Sequence, residues 1–139
     1  MEQPDYQALK FYWAEWGSRG TLHGEPYARM INHCKLFFSM PSALDIIGPR
    51  FYEVMACRTL LFCPESKSYE GLFEPDVHCL TFNPDLSDFR DKLFRALEND
   101  AERESIAARG YEHVRARHSI SARAEDFERA LSDVLCLRK

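Results

Sequence analysis

The apolar run Thr59-Leu-Leu-Phe-Cys63, which Pro64 ends, constrains the fold more than any other segment of this sequence. A run that is so short and so uniformly apolar favours a strand buried on both faces over a helix. A helix is predicted directly before it, over about residues 49–57, because Pro49 suits a first helical turn and apolar residues recur on one face. A helix that leads into a buried strand is a building unit of an α/β fold.

Two further apolar runs predict strands on either side of this unit. Residues 36–40, closed by Pro41, are expected to form a buried strand, and residues 78–82 are expected to form the next one. An amphipathic helix is predicted to end near Cys34, with its inner face formed by Tyr27, Met30, Ile31 and Cys34. Strands that alternate with helices predict fold class α/β with a parallel sheet.

The last third of the chain is predicted to be wholly helical. Ser87 is expected to cap one helix, Asp100 to cap a second, and Ser119 or Ser121 to open a third. The second helix, about residues 101–117, mixes acids with arginines, and its charged residues are interpreted as a solvated face. Its expected inner residues are Ile106, Ala107, Gly110, Tyr111 and Val114. The third helix is expected to dock along one side through Ala124, Phe127, Leu131 and Val134.

Composition excludes several classes of function. The net charge is −4, and lysines and arginines are scattered among acids, so no basic face is offered to DNA or RNA. No stretch approaches the length of a membrane span, and the N-terminus has no apolar signal core. We therefore expect a soluble globular protein without a nucleic-acid partner or a membrane anchor.

The cysteines and histidines do not form a metal-binding pattern. The five cysteines are odd in number and form no CxxC pair, so we expect them to be reduced in a cytoplasmic or other reducing compartment. The five histidines share no i, i+4 spacing, and no metal is predicted. His118 precedes the last helix, and we expect it to orient the first turn of that helix.

A candidate ligand site lies after the first predicted strand. Ligands of parallel sheets bind beyond the carboxyl ends of the strands, and the loop 40–48 presents Ser42 and Asp45 there. The following helix N-terminus and Arg50 suit a phosphate or diphosphate, although most such helix starts bind only water. Glu53 suits a ribose diol, whereas periodicity alone favours a solvated surface acid.

Four blocks of this sequence resemble one family in order and spacing. The block GPRFYEVMACRTLLFCPE resembles the R-x-x-E-x-[ML]-A-C-G motif and following strand of group 1 glycosyltransferases with the GT-B fold, closest to the spore-coat-protein-like subgroup. The other blocks are YARMINHCKLFFSM, YEGLFEPDVHCLTF and RARHSISARAEDF. The resemblance spans about residues 25–135 and concerns the C-terminal domain, which holds the donor nucleotide sugar. It implies a partial Rossmann-like sheet of three to four strands.

The resemblance also implies roles for single residues. Glu53 takes the place of the ribose-binding glutamate, and Asp45 stands at the first position of the paired acids, where aspartate shortens the reach by one methylene. Arg50 would face the diphosphate of a nucleoside diphosphate sugar, which is the donor substrate, and no further cofactor or metal is implied. Arg58 occupies the place of a glycine, and it is strained if the backbone there needs a positive φ.

Two hypotheses follow for the function. In the first, the chain is the donor-binding segment of a glycosyltransferase. It is not expected to be active by itself, because a chain of this length has no room for an acceptor domain or for the first strands of the donor domain. In the second, it is a noncatalytic scaffold or interaction subunit that binds another protein chain. Residues 25–139 are expected to form the α/β domain. Residues 1–24 are expected to be an aromatic-rich segment with a short strand at 9–13, and the aromatic side chains of this segment are expected to cover a sheet edge or to dock a partner.

Overall fold

The architecture is a three-stranded parallel sheet with helices around it, seen in a computed structural model that describes residues 22–136. The strands are β1 (Leu36–Phe38), β2 (Leu60–Pro64) and β3 (Leu80–Phe82), in the order β1-β2-β3. Leu36 lies opposite Leu60, and Phe62 lies opposite Leu80. The predicted α/β class and parallel sheet are confirmed, and the strand predicted at residues 9–13 lies outside the described residues.

Five α-helices flank this sheet within the described part of the chain. They are α1 (Gly24–Asn32), α2 (Pro49–Ala56), α3 (Phe89–Glu98), α4 (Asp100–Arg117) and α5 (Ile120–Cys136). A short 3-10 helix, Lys67–Tyr69, lies between β2 and β3. The predicted all-helical C-terminal third is confirmed. Helix α1 ends at Asn32, two residues before the predicted end, and Met30 is exposed rather than part of the inner face.

Strand β2 is the centre of the core, as its uniform apolar run predicts. All five of its residues are buried. Leu61 enters one hydrophobic cluster with residues of α2, while Leu60 enters a second cluster with residues of α3 and α4. Full burial of each such side chain stabilises the fold by about 1.5–3 kcal/mol. The sheet therefore carries apolar surface on both faces, as is typical of an α/β protein.

Strand β1 is less buried than the sequence predicts. Phe38 is 45% exposed, and Met40, beyond the strand, is 63% exposed. Among residues 22–136, β1 pairs only with β2 and lies at the edge of the sheet. The prediction of a buried strand here is wrong because an apolar run does not reveal how many neighbours the strand has.

The predicted caps of α3 and α4 are each one residue away from the observed N-cap residues. Asp88, not Ser87, is the N-cap residue of α3, and its carboxylate accepts the backbone N–H of Asn83 at 2.7 Å. Asn99, not Asp100, caps α4 by accepting the backbone N–H of Glu102 at 3.1 Å. Adjacent residues in each pair are able to cap, so residue type alone does not determine which of the two is the N-cap.

Helix α4 packs closely against the sheet. A Cβ added to Gly110 would lie 2.4 Å from the backbone oxygen of His78, so only glycine fits this approach. Arg103 is buried as well, and its guanidinium donates to the carbonyl of Ala96 at 3.0 Å and pairs with Asp100 at 2.6 Å. The interpretation of the charged residues of α4 as one solvated face is therefore wrong for Arg103, which joins α4 to α3.

Helix α5 does not dock along its predicted face. Residues Phe127, Leu131 and Val134 are all exposed, and none of the residues of α5 is buried. The predicted start is confirmed, because the Ser119 hydroxyl accepts the backbone N–H of Ala122 at 3.2 Å. The predicted docking is wrong within residues 22–136, since the side chains of this stripe stay exposed there.

The turn from α2 into β2 passes through Arg58, which has a φ of +54°. This left-handed conformation is the one that favours glycine, so the expected strain is present. The Arg58 guanidinium lies 4.9 Å from the ring centroid of Tyr111 on α4, and such a cation–π contact offsets part of the strain.

Candidate functional site

The candidate site lies at the carboxyl edge of the sheet, where the β1–α2 loop meets the β2–β3 loop. Ser42 shapes the first of these loops. Its hydroxyl accepts the backbone N–H groups of Leu44 at 3.4 Å and Ile46 at 3.2 Å, and its carbonyl accepts that of Asp45 at 2.9 Å. Ser42 thus closes a tight turn that places Asp45, with a φ of +55°, at the tip of the loop.

Asp45 connects the two loops directly. Its Oδ2 accepts hydrogen bonds from the hydroxyls of Ser66 at 2.6 Å and Ser68 at 2.9 Å. Sequence reasoning missed both serines, although they follow β2 at the edge where ligands of parallel sheets bind. The Asp45 carboxylate is exposed and accepts both bonds at one oxygen, so its other oxygen is left for a ligand.

Glu53 and Arg50 meet a residue of α1 rather than Asp45. The Tyr27 hydroxyl donates to Oε2 of Glu53 at 3.0 Å. Burial raises the pKa of Tyr27 and the bond to Glu53 raises it further, while the Arg50 guanidinium beside the hydroxyl opposes the increase. Helix α1 is held in this position by Asn32, whose side chain donates to the Cys57 carbonyl at 2.6 Å. Sequence reasoning treated Tyr27 only as a helix-face residue and missed this contact.

The four predicted site residues therefore fall into two groups. Ser42 and Asp45 belong to the loop group, whereas Arg50 and Glu53 belong to the α1–α2 group. Within residues 22–136, no hydrogen bond joins the two groups. They are nevertheless close along the chain, because Asp45 lies four residues before the start of α2 and Glu53 lies one turn into it.

The start of α2 adds donors between the two groups. Its N-cap residue is Gly48, which offers no side-chain cap, and Pro49 occupies the first helical position. Helix starts without a side-chain cap leave backbone N–H groups open to water or an anion. The exposed Arg50 adds a full positive charge at the same end of the helix.

A hollow of about 520 Å³ opens next to the loop group, because Ser66, which donates to Asp45, is one of its lining residues. Ser66 and Lys67 line one part of it, and Tyr69, Leu72, Phe73 and His78 are among the residues that line the rest. Its volume lies within the range of small-molecule sites in proteins. The hollow is therefore large enough to accept part of a ligand that reaches Asp45.

Three histidines form a cluster beside this hollow, which their sequence spacing does not reveal. The rings of His78 and His113 stack with centroids 4.1 Å apart. Nε2 of His113 and of His118 both reach the Leu72 carbonyl, at 2.6 and 3.0 Å, and because a carbonyl only accepts, both nitrogens carry a proton. His118 Nδ1 then accepts from Arg123 in the first turn of α5 at 2.6 Å. His118 thus contacts the turn that we expected it to orient.

Burial acts on the same cluster electrostatically. It lowers the pKa of His78, and the neighbouring His113 lowers it further. It also lowers the pKa of His118, against the opposing effect of its bond to the Leu72 carbonyl. Both shifts favour neutral rings.

Among residues 22–136, no group of three or more histidine, cysteine, aspartate or glutamate side chains is arranged to hold a metal ion. In the same range, each helix is too short or too polar to span a membrane.

Together, these features define an α/β protein with a polar site at the carboxyl edge of a parallel sheet. A family model described as glycosyl transferase-like matches residues 4–129, which is most of the chain. The protein belongs to this glycosyl transferase-like family. No curated protein matches the sequence. Membership supports a general role in glycosyl transfer, and the resemblance to the spore-coat subgroup stays a prediction.

Proposed function

We propose that the carboxyl edge of the sheet binds a nucleoside diphosphate sugar and that the chain acts as the donor-binding part of a glycosyltransferase. The observation that carries this proposal is the meeting of two successive loops at Asp45, whose carboxylate is held by Ser66 and Ser68 at the same edge as the start of α2. Polar groups from neighbouring strand ends are where α/β proteins bind such ligands.

Glu53 suits the ribose of the donor. A carboxylate has about four acceptor positions, and Tyr27 uses only Oε2, so Oε1 is open to a diol. The bond from Tyr27 also fixes the orientation of the carboxylate, which reduces the entropy that a ligand must remove on binding. In this assignment Tyr27 is a positioning residue and Glu53 is the contact to the ligand.

The diphosphate is assigned to the region between Asp45 of the loop group and Glu53 of the α1–α2 group. The open N–H groups at the start of α2 and the guanidinium of Arg50 both favour negative charge there. Lys67, at the rim of the hollow, supplies a second positive charge. These groups would stabilise the charge of a departing nucleoside diphosphate, and Asp45 would contact the sugar.

Calorimetric titration with nucleosides, nucleoside diphosphates and nucleoside diphosphate sugars tests this assignment. We expect Glu53→Gln to weaken binding of all three ligand types about tenfold or more, the cost of losing a hydrogen bond to a charged group. Arg50→Ala should weaken binding of the diphosphates but not of the nucleosides.

The matched control is Glu104→Gln, because Glu104 is an exposed acid on α4, far along the chain from the site. The control should bind like the wild type. Absence of binding heat from the wild type at millimolar ligand, or equal losses in the Glu53 and Glu104 variants, would contradict the proposed donor site.

A second function, that of a noncatalytic interaction subunit, is favoured by the exposed apolar side chains of α5. An unpartnered apolar stripe on a folded domain marks an interaction surface. Nucleotide binding decides between the two functions, because a pure interaction subunit does not need it. A wild type that binds no nucleotide but forms a stable complex would favour this second function.

A further inference from the structure

Helix α5 carries a regular apolar stripe that the described fold does not use. The stripe consists of Ile120, Ala124, Phe127, Leu131 and Val134, and all five residues are exposed. Ile120 is 91% exposed and Phe127 is 70% exposed. Burying these side chains would stabilise whatever arrangement covers them, at about 25 cal/mol for each Å² removed from water.

The spacing of the stripe indicates what kind of surface would cover it. Its residues are separated by four, three, four and three positions, which is the 3.5-residue repeat of a coiled-coil seam. A helix that packs on a sheet needs a wider apolar face than this seam, which Leu135 broadens only at its C-terminal end. The covering element is therefore best matched by another helix that runs along α5.

We propose that the stripe binds α5 of a second copy of this chain, with the two helices parallel. In heptad terms Ala124 and Leu131 occupy a positions, and Ile120, Phe127 and Val134 occupy d positions. Arg123 then occupies g and Glu128 occupies the following e position. In a parallel pair, g of one helix lies beside the following e of the other, so Arg123 of each copy faces Glu128 of the other.

This charge pattern selects the parallel orientation. In an antiparallel pair, g positions face g positions and e positions face e positions, so Arg123 would lie near Ala130 and gain no ionic partner. Arg123 already contacts His118 and Asp126 within its own chain, but a guanidinium has five N–H donors and retains some for a second copy. The Glu128 side chain makes no hydrogen bond or ion pair within residues 22–136, so it is available for Arg123 of the other copy.

Sedimentation equilibrium of the full chain tests the seam with two adjacent substitutions. Leu131→Glu places a charge at an a position, whereas Ser132→Glu places the same residue outside the stripe. We expect the wild type to self-associate, Leu131→Glu to weaken self-association by about a hundredfold or more, and Ser132→Glu to behave like the wild type. Circular dichroism of all three proteins checks that α5 and the fold are retained.

A charge exchange tests the orientation. Glu128→Arg should weaken self-association about fivefold, because two exposed pairs are lost and arginines face each other. The double variant Arg123→Glu/Glu128→Arg should restore it, since each glutamate again faces an arginine. Restoration is expected only for the parallel arrangement, so a double variant no tighter than Glu128→Arg would overturn that orientation.

Photo-crosslinking separates a second copy from other occupants. A benzophenone amino acid placed at Leu131 should give a covalent dimer, with the crosslink mapped to α5 of the other copy. A crosslink within one chain to residues 1–21 would overturn the proposal in favour of the chain's own N-terminal segment. The proposal is also overturned if the chain is monomeric up to about 1 mM or if Leu131→Glu associates like the wild type.

Discussion

Helices α4 and α5 follow each other in the chain and have nearly equal lengths, 18 and 17 residues, yet they relate to the core in opposite ways. Helix α4 has a weak apolar pattern, but five of its residues are buried. Helix α5 has a clear apolar stripe, but none of its residues is buried. The sequence signal for burial is thus stronger in the helix that is not buried.

The reason lies in how α4 approaches its neighbours. Its buried residues include Ala107 and Gly110, which are small because the backbone of the helix comes close to the backbone of the chain before β3. Small residues add little to a hydrophobic pattern, although they permit close packing. An apolar stripe thus shows capacity for burial, while burial itself depends on the element that lies opposite.

The largest expected loss of stability comes from adding a side chain at Gly110. A Gly110→Ala substitution should destabilise the protein by about 3 kcal/mol, because its Cβ would lie 2.4 Å from a backbone oxygen that cannot rotate away. Chemical denaturation measures this change. Glu104→Ala on the exposed side of α4 is the control and should stay within about 0.5 kcal/mol of the wild type. A tolerated Gly110→Ala would contradict this close packing of α4 against the chain before β3.

A matched pair of valines tests the same difference in burial between α4 and α5, with an expected effect of intermediate size. Val114 on α4 is 6% exposed, and Val134 on α5 is 51% exposed. Val114→Ala should cost about 2 kcal/mol through two lost methyl groups and the cavity that remains, whereas Val134→Ala should cost less than about 0.5 kcal/mol. Both are measured by thermal or urea unfolding at low micromolar protein, where self-association is weakest. Equal costs would show that α5 is covered in the folded monomer.

The smallest expected effect concerns the turn that contacts α4 through Arg58. Arg58→Gly and Arg58→Ala both remove the contact to Tyr111, but only glycine adopts a φ of +54° without strain. Arg58→Gly should therefore be more stable than Arg58→Ala by about 1 kcal/mol. Urea denaturation of the two variants, side by side, provides the measurement. If alanine is as stable as glycine, the turn is not strained.

The predictable parts of the fold are those whose residues form an unbroken local pattern in the sequence. Residues 60–63, which form most of β2, have no polar side chain to place on a solvent face, so a buried strand is the best match for them. The strain at Arg58 was also foreseeable, because the family resemblance puts glycine at this position. The caps at Ser87 and Asp100 were misplaced by one residue, since neighbouring residues have equal capping ability.

The candidate site was only half predictable for a different reason. The loop position, the following helix and the family resemblance predict Asp45 and Glu53 as site residues, but they give no sign of the contacts that Ser66, Ser68 and Tyr27 make to them. These three residues reach the acids across the fold, and they carry no periodic signal of their own. Their positions depend on how β2 and α1 are placed next to α2, which local patterns do not encode.

The sheet order β1-β2-β3 has a consequence for the synthesis of this protein. Each strand joins the one made just before it, so the sheet is able to grow as the chain leaves the ribosome. Helix α4 comes after all three strands, yet it covers α2 and β2. Until Val114 emerges, the cluster around Leu61 stays open to water on that side. The nascent chain therefore exposes an uncovered apolar cluster until this helix emerges, which is when it is most in need of protection from aggregation.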